Sequence, residues 1–174
     1  MKVRTLLALA IATLGGAAAY AESTNAVGDT TAPFTTYNTY AWTAGTTSPD
    51  AVTERRIHAA VEAQFSGKGV RLAEPDETPT IFVATHVVTS QKKDDLVANG
   101  FASASLDSKG GAAIPSLSKG MLVVDVYDAN SKKIVWRGVA TGTGSDGPTK
   151  NADRIEKALA DLFRQLPVGL ELPK

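Results

Sequence analysis

Residues 120–143, GMLVVDVYDANSKKIVWRGVATGT, decide the fold. Two apolar runs rich in β-branched residues, 120–128 and 133–143, flank a short polar connection, which is the pattern of an antiparallel β-hairpin. A one-residue slip would turn every side chain to the other face, so an odd-length loop is needed to keep each apolar set together. In one such register Asp125 lies opposite Arg137.

The same reading sorts the hairpin into two faces, because side chains alternate along a pleated strand. One face is expected to carry Leu122, Val124, Val126, Ile134 and Trp136. The other face is expected to carry Val123, Asp125, Tyr127, Val135, Arg137 and Val139. Asp125 and Arg137 therefore interrupt strands of otherwise apolar neighbours.

Two helices flank the strands. The first is predicted to begin with an N-cap at Ser48, followed by a first-turn proline, and to end at Gly67. The second is predicted over 150–166 and is ended by Pro167. Each helix has an apolar stripe at helical spacing, formed by Ile57, Val61 and Phe65 in the first and by Ile155, Leu159, Leu162, Phe163 and Leu166 in the second.

Further strands are predicted at 34–42 and 80–89, with a short strand at 70–73, from their β-branched and aromatic residues. Segment 90–119 is rich in Ser, Gly and Ala, and we expect one irregular edge strand near 96–106. Two amphipathic helices need one sheet face on which to bury their stripes. The predicted fold is therefore α+β, a two-layer sandwich of a mostly antiparallel β-sheet with two helices packed on one face.

The first residues have the pattern of a secretory signal. Lys2 and Arg4 precede an apolar run at 5–14, and a small-x-small motif ends at Ala21, after which cleavage is expected. A membrane anchor would need about 20 continuous apolar residues, and a Gly-Gly pair interrupts this run too early. The mature protein is expected to be soluble and periplasmic, with no transmembrane segment.

This pattern divides the chain into four parts. We expect a cleaved signal peptide at 1–21, a flexible lead-in at 22–33, a single domain at 34–167 and a tail at 168–174. The lead-in is predicted because its residues are small and polar, with interspersed Gly and Pro.

The composition argues against several classes of protein. The 18 basic and 18 acidic side chains cancel, so there is no electrostatic reason to expect binding to nucleic acid or to an anionic membrane surface. Because the sequence has no cysteine, we expect no disulfide, thiolate zinc site, cysteine nucleophile or lipid anchor.

Residues 142–147, GTGSDG, match the G-x-G-x-x-G pattern of dinucleotide-binding loops. Such a site also needs a second parallel strand and an acidic residue about 20 positions further on. The residues after the second predicted helix supply no such strand. We interpret the loop as a strand-to-helix turn and predict no cofactor.

Four residues are candidates for a ligand or partner surface: Asp125, Tyr127, Arg137 and His86. On the structural interpretation, Asp125 and Arg137 form a cross-strand ion pair that fixes the register. On the functional interpretation, their face, together with Tyr127, binds a ligand or partner. His86 lies within a buried-looking strand, where a lone histidine is more often a hydrogen-bonded core residue than a catalyst.

The other histidine, His58, has Glu54 and Glu62 four residues to either side, which predicts charge pairing on a solvated helix face. Two histidines without placed carboxylates do not predict a metal site. No serine-nucleophile motif is present either. We therefore predict no catalytic or metal-binding residues.

Five parts of the sequence together resemble one known family. They are the strand ending in Tyr37-x-x-Tyr40-Ala41-Trp42, the helix ending in Gly67-Lys68-Gly69, the apolar strand after Pro79, the hairpin from Gly120 to Gly138, and the helix ending in Leu166-Pro167. Over about 34–167 the chain resembles the bacterial domain-of-unknown-function family 4136. The resemblance implies an exported cell-envelope protein of α+β fold with no established activity, cofactor or catalytic residue. Many relatives resemble lipoproteins, but this sequence lacks their cysteine.

Three functional hypotheses follow. The first is a non-catalytic periplasmic module that binds a partner protein or another envelope component. The alternative is a small-ligand-binding periplasmic protein that uses the sheet face. The third, which has the least support, is a hydrolase-type enzyme that uses His86 with a carboxylate.

Overall fold

The computed structural model describes residues 23–88, 120–142 and 148–168. These residues form six strands, two α-helices and the segments that connect them. A short 3-10 helix, Phe34–Thr36, precedes the second strand. The strands are β1 (Ser23–Gly28), β2 (Thr39–Trp42), β3 (Arg71–Leu72), β4 (Ile81–Val88), β5 (Met121–Asp128) and β6 (Ile134–Thr141), and the helices are α1 (Ala51–Gly67) and α2 (Pro148–Phe163).

The strands form one sheet in the order β1-β6-β5-β4-β2-β3. The pairings of β1 with β6, β6 with β5 and β5 with β4 are antiparallel, whereas β2 runs parallel to both β4 and β3. Buried residues of α1 and α2 join those of one sheet face in a single core. The predicted α+β architecture, with its mostly antiparallel sheet, is confirmed.

Aromatic rings connect the helices to the sheet. The ring of Phe65 in α1 stacks on Tyr40 in β2, with centroids 4.7 Å apart, and meets Phe163 of α2 edge-on at 4.9 Å. The Phe163 ring also lies 6.0 Å from that of Trp136 in β6. A Cβ atom at Gly138 would lie 2.4 Å from the Trp136 ring, so the absence of a side chain at Gly138 makes room for the indole.

The predicted hairpin forms, and Asp125 pairs with Arg137 as the register required. A β-bulge lies between Val126 and Tyr127, and after it Tyr127 pairs with Ile134. The extra residue of a bulge shifts the alternation by one position. The predicted faces of Ile134 and Val135 were therefore wrong: Ile134 shares the face of Tyr127, and Val135 joins the core with the helices.

The prediction of a flexible lead-in at 22–33 was also wrong, because β1 lies within it. Ser23 pairs with Thr141, and Ala26 packs against the core. Backbone hydrogen bonds to β6 hold this edge strand. Because backbone groups are the same in every residue type, such pairing requires no alternation of apolar and polar residues that the sequence would reveal. In the first predicted strand, 34–42, the extended part begins only at Thr39.

The helix boundaries differ from prediction by a few residues. Asp50 rather than Ser48 caps α1, because its carboxylate accepts hydrogen bonds from two first-turn backbone N–H groups at 3.3 and 2.9 Å. Helix α2 ends at Phe163. Val168, assigned above to a tail, is fully buried in the core.

Several predictions concern residues outside the described part of the chain. They are the signal peptide at 1–21 with its cleavage site, the edge strand near 96–106, and all but the first residue of the glycine loop at 142–147. Neither α1 nor α2, the two described α-helices, has the length and hydropathy needed to cross a membrane.

Candidate functional site

The sheet face that points away from the helices brings together the four residues singled out above. His86 lies in β4, Asp125 and Tyr127 lie in β5, and Arg137 lies in β6. Asp125 is directly opposite Arg137, whereas His86 pairs with the residue two positions before Asp125 and so is its diagonal neighbour. We call these four side chains the polar cluster.

A buried ion pair forms the centre of the polar cluster. Arg137 donates from Nε to Asp125 Oδ1 at 2.5 Å and from Nη2 to Oδ2 at 2.6 Å. The Asp125 side chain is fully buried, and only 4% of Arg137 is exposed. Burial raises the pKa of Asp125, but the hydrogen bonds from Arg137, together with the nearby His86 imidazole, outweigh it and hold the pKa below its ordinary value. The carboxylate is thus ionised and engaged by the guanidinium.

His86 lies between this carboxylate and a hydroxyl group. Its Nε2 atom is 3.6 Å from Asp125 Oδ2, and its Nδ1 atom is 3.1 Å from Thr46 Oγ1. Thr46 follows β2 in the chain and bridges to β4 in parallel, with its backbone N–H donating to Thr85 at 3.0 Å. A Cβ atom at Gly45 would lie 2.1 Å from the Thr85 carbonyl oxygen, so only glycine permits this approach.

Tyr127 connects the polar cluster to the surface. Its hydroxyl lies 3.5 Å from Asp125 Oδ2, which is longer than a usual O–H···O hydrogen bond and makes this contact a weak one. Burial, and then the Asp125 charge, raise the pKa of Tyr127 to about 12. The phenol therefore stays protonated at neutral pH and can act as a hydrogen-bond donor.

An open pocket of about 430 Å³ lies beside Tyr127. Phe82 is the cross-strand partner of Tyr127, so the two rings are neighbours on the outer face. The pocket is lined by Thr43, Ala44, Phe82, Tyr127 and Lys132. Its size is within the range of small-molecule sites.

Lys132 supplies the positive charge of the pocket. Its Nζ atom lies 4.4 Å from the centroid of the Phe82 ring, a cation–π distance. Its backbone has a φ of 59°, in the left-handed region that few residues other than glycine and asparagine occupy. The β5–β6 turn thus holds this lysine in a strained conformation with its ammonium at the rim of the pocket.

His58 lies apart from the polar cluster, on α1. Its ring stacks on Trp42 with centroids 4.0 Å apart, and its Nε2 atom is 3.2 Å from a carboxylate oxygen of Glu54. Glu62 instead accepts a hydrogen bond from the Trp42 indole at 3.4 Å. One of the two predicted charge pairs is therefore present, and the aromatic contact was not foreseen.

The described residues contain no group of three or more side chains that could hold a metal ion. In space, His86 lies between the Thr46 hydroxyl and the Asp125 carboxylate, as the histidine of a hydrolase triad lies between its hydroxyl and its acid. However, Arg137 already holds both oxygens of the carboxylate. The imidazole is also farther from Asp125 than the hydrogen-bond distance that orients a catalytic histidine.

Sequence reasoning missed the pocket itself. Phe82 was recognisable in principle, because it is on the same face of β4 as His86 and the hairpin register places Tyr127 in the adjacent strand. Thr43 and Ala44 follow β2 in the chain. This segment stays close to β4 because Gly45 has no side chain, and the residues around Gly45 form no motif that predicts this. No local pattern marks Lys132 as left-handed.

Comparison with known proteins matches most of the chain to one family. The family model described as "Domain of unknown function (DUF4136)" matches residues 24–168. The match begins within β1, in agreement with a domain that starts before residue 34. No curated protein sequence matches the chain.

Two solved structures share the fold. A DUF4136 family protein from Bacteroides thetaiotaomicron is 15% identical, with a TM-score of 0.64 over 86% of this chain and 98% of its own. The PelC dodecamer from Paraburkholderia phytofirmans is 8% identical, with a TM-score of 0.52 over 85% of this chain and 99% of its own. At these identities the likeness is one of fold.

Proposed function

Since the chain belongs to the DUF4136 family, for which no activity is described, we propose its function from its own site: an exported, non-catalytic binding module of the bacterial cell envelope. The observation that carries this proposal is the open pocket beside an already engaged carboxylate. Aromatic rings, a hydroxyl donor and an ammonium line the pocket, and these are groups that bind and orient ligands. Arg137 occupies the one buried acid of the polar cluster.

Export is the second part of the proposal, and the amino-terminal pattern supports it. Lys2 and Arg4, the apolar run and the small-residue motif ending at Ala21 are the parts that a secretory signal requires. Cell fractionation followed by intact-mass measurement tests this. A periplasmic protein that begins at Glu22 is expected, and a cytoplasmic protein that retains Met1 would contradict export.

Site-specific photo-crosslinking in intact cells tests the binding function. A photoreactive residue at Ala44 would report on the pocket, and the same residue at Arg55, exposed on α1, is the matched control. We expect a reproducible adduct, identified by mass spectrometry, from Ala44 only. The same adducts from both positions, or none from either, would overturn the pocket as the binding surface.

Self-assembly is a second candidate, because one protein with this fold is a dodecamer and β1 is an edge strand without a charged residue. Uncharged edges can pair with another copy. Native mass spectrometry is expected to detect an oligomer that Asn25→Lys in β1 disrupts and Asn130→Lys in the β5–β6 turn leaves intact. A monomer at all concentrations would exclude this candidate.

A hydrolase that uses His86 remains the weakest of the three hypotheses. Arg137 neutralises the carboxylate that would have to orient the imidazole. Screening with acyl and phosphoryl ester substrates tests the point. A turnover that His86→Gln abolishes, while its fold is retained, would contradict the non-catalytic proposal.

A further inference from the structure

We infer that the pocket binds a small organic carboxylate with a flat, apolar body. This inference rests on the proposed binding function and specifies the ligand class for the same pocket. Three residues that line the pocket define this ligand class. Lys132 offers a positive charge, Tyr127 a hydrogen-bond donor and Phe82 an aromatic ring.

The charge at the pocket favours an anion. The Lys132 ammonium has no carboxylate within ion-pairing distance among the described residues. The two acids of β5 are both engaged elsewhere, Asp125 by Arg137 and Asp128 by the turn backbone and the Tyr37 hydroxyl. No neighbouring carboxylate therefore competes with a ligand for the ammonium, whose aromatic neighbour is the Phe82 ring.

The hydrogen-bonding groups favour an acceptor. Tyr127 keeps its phenolic proton. Its hydroxyl is 3.5 Å from the Asp125 carboxylate, whereas the two bonds from Arg137 measure 2.5 and 2.6 Å, so Asp125 holds the hydroxyl only weakly. The hydroxyl can therefore turn toward a ligand oxygen at little cost. Thr43, which also lines the pocket, carries a second hydroxyl. A carboxylate accepts from both a charged and a neutral donor.

The apolar groups favour a flat body on that carboxylate. Phe82 and Tyr127 lie side by side across β4 and β5 and are neighbours on the outer face. Aromatic rings bind flat, apolar groups by offset or edge contacts. The pocket volume of about 430 Å³ accommodates a ring with a short side chain.

The turn conformation adds an independent observation. A glycine or asparagine would hold the 59° φ of position 132 with less strain than lysine does. Residues with unusual backbone conformations of this kind cluster at active sites and ligand-binding positions. Here the strained residue is the one that supplies the ammonium.

An NMR titration of the processed, isotope-labelled protein tests the inference with two probes of similar shape, sodium benzoate and benzyl alcohol. Benzoate is expected to shift the amide signals of Thr43, Ala44 and Tyr127 and to bind more tightly than the alcohol. Lys132→Asn removes the charge and suits the left-handed backbone, so the protein should fold. It should weaken benzoate binding about fivefold, the scale of one exposed ion pair.

Lys133→Gln is the matched control, because it removes the same charge from the adjacent exposed lysine, which does not line the pocket. It should leave benzoate binding unchanged. Equal binding of both probes, or equal effects of the two lysine substitutions, would overturn the carboxylate assignment. Failure of both probes to shift the pocket signals would also overturn it. The proposed binding function would then still be decided separately by crosslinking from Ala44, which does not depend on ligand charge.

Discussion

At the scale of single residues, two arginine–carboxylate pairs of the described residues share a geometry in which the guanidinium donates to both oxygens, but their surroundings differ. The pair of Arg137 with Asp125 is buried, whereas Arg71 donates to both oxygens of Glu77 at 2.7 Å on the exposed β3 edge. Asp125→Asn leaves a buried guanidinium without its counter-charge, and we expect the free energy of unfolding in urea to fall by about 3–5 kcal/mol. Glu77→Gln is the control, because water solvates the remaining arginine. Equal losses for the two variants would show that burial does not govern the effect.

An alanine substitution is expected to have opposite effects on stability at two glycines. Gly138→Ala places a methyl group against the Trp136 ring, and we expect it to destabilise the fold by about 1–3 kcal/mol. Gly67, the last residue of α1, has nothing within 4 Å of an added Cβ. Gly67→Ala should therefore stabilise the protein by about 0.4–1 kcal/mol, by restricting the unfolded chain. Thermal unfolding of both variants provides the comparison, and changes of the same sign would contradict this account of Gly138.

At the scale of elements, Phe163 anchors α2 to both the sheet and α1. Its fully buried ring contacts those of Phe65 and Trp136. Phe163→Ala is expected to lower the free energy of unfolding by about 3–5 kcal/mol, because the surroundings cannot fill the cavity. Glu156→Ala, on the exposed side of α2, is the control and should change stability little. A mild effect of Phe163→Ala, comparable to the control, would mean that α2 docks by other contacts.

Elements with a hydrophobic period could be predicted from sequence, and elements held by backbone pairing could not. The β5–β6 register followed from its apolar alternation, and both helices followed from their stripes. By contrast, β1 is a run of small and polar residues whose partner strand lies far along the chain. The bulge before Tyr127 also has no signature in side-chain pattern. The polar cluster was therefore predictable, whereas the pocket beside it depended on backbone details.

At the scale of the whole molecule, carboxyl groups set a limit on acid stability. Burial raises the pKa of Asp125 and of Asp128, but hydrogen bonds outweigh it and hold both pKa values below their ordinary range. A carboxyl of this kind adds stability above its unfolded pKa of about 3.9, and that stability is lost as pH falls through the lower folded pKa. We therefore expect the free energy of unfolding to decrease below about pH 4.

Urea titrations at neutral pH and at about pH 3 measure this decrease. Asp125→Asn should lose less stability between the two conditions than the unmodified protein does. The variant lacks the Asp125 carboxyl, whose protonation at low pH costs the unmodified protein part of its stability. An identical decrease in both proteins would contradict the role assigned to the buried ion pair.

The position of β1 in the sheet also constrains the order of assembly. A hydrogen bond joins Thr141 to Ser23 across 118 positions of the chain, although the two strands are immediate neighbours. Synthesis delivers the amino-terminal strand first, so β1 waits without its partner until β6 has emerged. Closing a loop of that length costs entropy before the pairing returns any stability. The sheet is therefore completed late, by the segment of this domain that is made first.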